Sequence, residues 1–152
     1  MKLFFKGYFS ILAFPLVFFS CSHFDEIQKD IKESPSGEES HYSGQNCGYC
    51  HNKEGITEAP WWNISGTVYY PNGTPHSNAK IQLWEKQNRQ GKLIKSLQSD
   101  SKGNFYTNQI INFNNGCYIV LSSGTDTLMI QTFNGGSCNA CHGISTGKII
   151  LK

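Results

Sequence analysis

The chain has 152 residues, of which 38% are hydrophobic and 16% charged, with a formal charge of +2; that suffices for one compact domain with tails, since single domains run to about 100–200 residues. Lys2 and Lys6 fall in a leader, and without them eleven basic residues stand against eleven acidic ones. A balanced chain has no basic face with which to release counterions from phosphates, which argues against a nucleic-acid partner.

Residues 1–20 read as a secretory signal, with Lys2 and Lys6 as the positive region and 11–19 as an apolar stretch broken only by Pro15. The stretch is too short to span a bilayer comfortably. Phe18-Phe19-Ser20-Cys21 resembles a bacterial lipobox, with Phe18 where an aliphatic residue is usual. The resemblance implies an exported lipoprotein whose new N-terminus is a lipidated Cys21, anchored in a membrane, with the outer membrane the expected one. The alternative is an ordinary cleavage site with Cys21 as a small residue nearby. Export also bears on the remaining cysteines, because thiols outside the cytoplasm tend to oxidise. Cys47, Cys50, Cys117, Cys138 and Cys141 number five, so disulfides within one chain cannot pair them all.

Residues 21–46 are polar, with an acidic excess and the turn-forming runs Ser34-Pro35-Ser36-Gly37 and Ser43-Gly44. They predict a flexible tether. Phe24, Ile27 and Ile31 would share one stripe of a short helix, which is marginal without packing partners.

From Trp61 to Lys152 the texture changes to short β-prone runs separated by turn chemistry, which predicts an all-β sandwich of about seven strands. The expected strands are 63–70, 79–85, 93–98, 103–107, 117–122, 127–132 and 148–151. Pro71-Asn72-Gly73, Asp100-Ser101-Lys102-Gly103 and Asn114-Asn115-Gly116 supply the turns. Ile64-Ser65-Gly66-Thr67-Val68, Asn72-Gly73-Thr74-Pro75, Ala79-Lys80-Ile81-Gln82-Leu83, Ser99-Asp100-Ser101-Lys102-Gly103-Asn104-Phe105 and Gly116-Cys117-Tyr118-Ile119-Val120 together resemble the carboxypeptidase regulatory-like, transthyretin-like β-sandwich. That resemblance implies a fold used by exported binding and spacer modules, and by itself implies no activity.

Two motifs carry chemistry. Cys47-Gly48-Tyr49-Cys50-His51 lies in a loop over residues 47–60, and Cys138-Asn139-Ala140-Cys141-His142 lies near the end of the chain. Both resemble the Cys-x-x-Cys-His attachment motif of c-type cytochromes. The resemblance implies two covalent haems, held by thioether bonds from Cys47 with Cys50 and from Cys138 with Cys141, with His51 and His142 as the proximal iron ligands. It further implies electron transfer with redox partner proteins of the cell envelope rather than catalysis.

Two Cys-x-x-Cys pairs could instead enclose one Zn2+ in four thiolates. Such a site needs no histidine after each pair. With histidine at 5 of 152 positions, chance would supply both only about once in a thousand such chains. Disulfides within each pair are the third reading, and either staple would make the chain a binding or spacer lipoprotein without redox activity. If the first and last strands of the sandwich lie side by side and parallel, the two motifs meet at one end of it.

A sixth iron ligand would decide between electron transfer and small-molecule chemistry. His41, six residues before Cys47, is the first candidate for a distal ligand, against a solvated linker histidine. His23, His76 and Met129 complete the set, with His76 expected in an exposed turn and Met129 in the core. Trp61-Trp62 either stack on a haem edge or close the mouth of the sandwich, and Cys117 is expected to face the core. Asn63-Ile64-Ser65 and Asn72-Gly73-Thr74 match glycosylation sequons, which mean little in a bacterial chain. No Ser-His-Asp set, catalytic carboxylate pair or phosphate-cradling loop stands out.

Overall fold

The structure, a computed structural model, describes residues 31–35, 40–53, 60–113, 115–124, 126–129 and 131–152. The expected leader, Cys21, His23 and all but the last residue of the 24–31 stretch lie outside the described residues. Among the described residues no helix is long and apolar enough to cross a membrane.

The fold is all-β, with two sheets of four strands. The strands are β1 (Ile64–Tyr69), β2 (Lys80–Lys86), β3 (Gln90–Gln98), β4 (Asn104–Thr107), β5 (Tyr118–Ser122), β6 (Asp126–Leu128), β7 (Gly136–Ser137) and β8 (Ile149–Ile150). One sheet runs β3-β2-β5-β6, and the other runs β4-β1-β7 with β8 also paired to β1. Seven of these overlap the expected strands. The two-residue β7 is additional, and it leads straight into the second motif.

Alternation decides which side chains face inward. Ile81 and Leu83 of β2, and Ile119 and Leu121 of β5, meet Phe105 of β4 and Ile64 and Val68 of β1 in one cluster that also holds Cys117, Cys138 and Leu151. The turn into β4 needs its glycine. Gly103 lies at φ +72, its N–H donates to the Asp100 carbonyl at 3.0 Å, and a Cβ there would come within 2.5 Å of the Val68 carbonyl oxygen.

Strand β1 is buried along its whole length. Ile64 and Val68 face the core, and Ser65, Thr67 and Tyr69 on the other face are buried as well. Residues 40–53 account for that cover, with the Gly44 N–H donating to Thr67 Oγ1 at 2.9 Å. The described part of the expected tether is thus held against the sandwich. Residues 31–35 follow the edge of β4, where the Ser34 N–H donates to the Tyr106 carbonyl at 3.0 Å and Glu33 bridges Thr107.

The far edge of β1 is shared. β7 runs parallel to it at Ile64 and Ser65, and β8 runs parallel to it at Val68 and Tyr69. First and last strands therefore do lie side by side and parallel. The gap at Gly66 and Thr67 is filled by the turn Cys138–Ala140, which opens the second motif.

Candidate functional site

The first motif is a single helical turn, α1 (Cys47–Cys50). Asn46 stops the extended chain before it and caps it, its side-chain oxygen accepting from the Gly48 N–H at 3.1 Å. Asn52 Nδ2 donates to the carbonyls of Gly48 and Tyr49 at 3.0 and 3.1 Å, satisfying the other end. The turn closes when the His51 N–H donates to the Cys47 carbonyl at 2.9 Å.

The second motif repeats this closure with different residues inside it. The His142 N–H donates to the Cys138 carbonyl at 2.9 Å. In both motifs the ring Nδ1 meets a backbone carbonyl further along the chain: His51 with Pro60 at 2.7 Å, and His142 with Gly147 at 2.9 Å. A carbonyl only accepts, so each Nδ1 carries the proton and each Nε2 keeps its lone pair for a metal. Histidine ligands are generally oriented in this way.

Around His51 the rings form a column. His51 stacks on Trp62 at 4.9 Å, Trp62 lies 4.6 Å from Tyr106, and His41 lies 5.8 Å from His51 on an adjoining side. His51 is 8% exposed. Beside it opens a cavity of about 230 Å³ lined by Cys47, Cys50, His51, His41, Trp62 and Tyr106 among others. The structure thus brings the first motif and the expected distal histidine together. His76 and Met129 do not line this cavity. His76 is buried rather than exposed, stacked at 3.8 Å on Tyr70, and Met129 packs against the core.

The thiols differ sharply. Cys141 is exposed, Cys47 and Cys50 are half-buried, and Cys117 and Cys138 are buried. Burial pushes the Cys47 thiol up from its ordinary value, opposed in part by the neighbouring Ser65 hydroxyl. It pushes Cys117 up to about 11. Cys138 is pushed up to about 12, first by burial and then by the nearby Cys47. The motifs are therefore neighbours, and a Cβ built on Gly48 would lie 3.1 Å from the Ser137 Cβ. They do not converge on one point: among the described residues no three His, Cys, Asp or Glu side chains are grouped to hold a metal ion.

The residues of the first motif fit a covalent haem, with two partly accessible thiols, a histidine whose Nε2 is free to ligate, and an aromatic-lined cavity. Buried polar atoms gather here too: Ser137 Oγ next to α1 and Asp100 Oδ2 within electrostatic reach of Cys47 lack hydrogen-bond partners, and the Ser65 hydroxyl lies against the Cys47 thiol. In the second motif Cys141 and His142 fit equally well. Cys138 does not fit as it stands, because its Cβ packs where a side chain on Gly66 would be.

Tyr106 and the Pro60 carbonyl were not identifiable as site residues beforehand, whereas Trp61-Trp62 had two readings, one at a haem edge and one at the mouth of the sandwich. No protein-family model matches the chain, and neither do any curated protein or solved structure.

Proposed function

We propose that the chain is an exported, lipid-anchored dihaem c-type cytochrome-like protein that carries electrons between redox partners at the cell envelope. Cys47, Cys50 and His51 would hold one haem, and Cys138, Cys141 and His142 the other, with Cys21 as the lipid anchor. The observation that carries this reading is the shared treatment of the two motif histidines. Each closes the same one-turn loop and commits Nδ1 to a carbonyl, which presents Nε2 as a ligand.

Haem bound there supplies a one-electron iron couple. The chain supplies the rest. Trp62 and the Pro60 carbonyl fix the His51 ring, and the cavity wall limits water around it. His41 would serve as the distal ligand, a role that its ring distance of 5.8 Å from His51 supports. At the second motif Cys138 is buried in the folded chain, so its attachment would require the sandwich to be open at that edge.

The burial of Cys138 also favours a second reading, in which the motifs staple a binding or spacer module through disulfides or zinc. A four-thiolate zinc site asks for convergence, and the described residues hold no such group.

Expression of the full chain with haem-maturation machinery separates the readings. We expect haem staining that survives denaturation, half of it lost in the Cys47→Ser/Cys50→Ser variant and half in Cys138→Ser/Cys141→Ser. Wild-type protein without covalent haem under those conditions rules out the cytochrome reading. Carbon monoxide difference spectra of the reduced Cys138→Ser/Cys141→Ser protein, which would carry the first haem alone, then test whether His41 closes the first iron: little binding with His41 present and strong binding after His41→Ala are expected.

A further inference from the structure

A buried chain of hydrogen bonds joins the two motifs, and it has only one arrangement. Thr67, Asn104 and Asn139 are all nearly inaccessible to solvent. The hydroxyl of Thr67 accepts from the Gly44 N–H at 2.9 Å and from Asn139 Nδ2 at 3.3 Å. Both lone pairs are then used, so its single proton has to go to Asn104 Oδ1, 2.6 Å away. With its oxygen fixed towards Thr67, Asn104 turns its amide group outward and donates to Ser40 Oγ at 2.6 Å and to the His41 carbonyl at 3.1 Å. At the other end Asn139 Oδ1 accepts the Thr67 N–H at 2.9 Å. That N–H sits in the gap between β7 and β8, where a continuous neighbouring strand would have supplied a carbonyl.

We propose that Asn139, inside the second motif, is a positioning residue for the first motif: through Thr67 and Asn104 it holds residues 40–44, and with them His41, over the first cavity. The role of His41 as the group being positioned rests on the haem reading above; the link itself does not. Residues 40–44 have little apolar anchoring of their own, with Tyr42 exposed and at φ +49. Their order comes from polar bonds, two of which end on Asn104, one on Thr67 and two on Lys102 at the far side. Loss of the Asn139 carboxamide leaves the Thr67 hydroxyl with a spare lone pair and its N–H without an acceptor. The proton of Thr67 is then no longer forced towards Asn104, and the restraint on 40–44 weakens.

Hydrogen exchange on the full chain without haem tests the link. In Asn139→Ala we expect the Gly44 amide, whose acceptor is the Thr67 hydroxyl, to exchange about tenfold faster or more, while amides of β2 and β5 keep their wild-type rates. Thr67→Val should do the same, and Thr67→Ser, which keeps the hydroxyl, should restore protection. If Asn139→Ala unfolds the chain, Asn139→Ser, which keeps a small polar group and buries no charge, should give a smaller change confined to 40–44. Wild-type exchange at 40–44 in these Asn139 variants, or a uniform rise across the whole sandwich, overturns the proposal. In haem-loaded protein the same variants should raise carbon monoxide binding at the first iron. Absence of covalent haem in wild type would refute the cytochrome reading and leave the exchange result to decide the link.

Discussion

A thiol reacts as its thiolate, so burial should separate these five cysteines by rate. In folded chain lacking haem, an alkylating reagent near pH 8 should label Cys141 first and Cys50 and Cys47 next. Cys117 and Cys138 should stay unlabelled until the chain unfolds, with peptide mass mapping as the readout. Labelling of Cys138 at the rate of Cys141 would contradict its place in the core. The same burial makes stability fall in alkali. Below the ordinary thiol value of 9.0, folded and unfolded chains both keep their protons, and the contribution of these thiols is complete. Between pH 9 and about 11 to 12 the unfolded chain loses protons that Cys117 and Cys138 retain, so the denaturation midpoint should drop across that window. Cys117→Ala/Cys138→Ala should flatten the drop. At this scale the sequence marks His51 and His142 as candidate ligands, because one short spacing singles them out. The role of Asn139 was not legible there, since a residue between two motif cysteines gains a structural role only from the strand it meets.

At the scale of elements, the interrupted edge beside β1 is what places both motifs. Gly66 makes this possible: a Cβ there would lie 2.5 Å from the Phe105 ring and 3.0 Å from the Cys138 Cβ. Gly66→Ala should therefore cost about 1–3 kcal/mol through overpacking, seen as a lowered midpoint in urea, and should expose Cys138 to alkylation. An unchanged midpoint would mean that the second motif is not packed on β1. Alternation made β2 and β5 readable beforehand, and Gly73 and Gly116 marked the turns that lead to them. Strand β7 was unreadable because Gly136 and Ser137 have little strand preference; they pair only because the Asn63 carbonyl accepts the Gly136 N–H at 2.9 Å. Likewise nothing in the polar composition of 40–46 reveals that Thr67 and Asn104 hold it down.

For the whole molecule, two motifs 91 residues apart in sequence become neighbours because the first and last strands run parallel along one edge. From Lys32 on, the described part of the expected tether adds no free length, being bound along β4 and over β1. The two sites and the segment that covers one of them therefore form one body, in which a change at either motif reaches the other. The most direct measurement is the intact mass of the full chain, matured with haem-attachment machinery and then denatured in reductant. The account predicts a mass increased by two haems, falling to one in either paired cysteine-to-serine variant. A chain at its haem-free mass, with all motif thiols free after reduction, would contradict it.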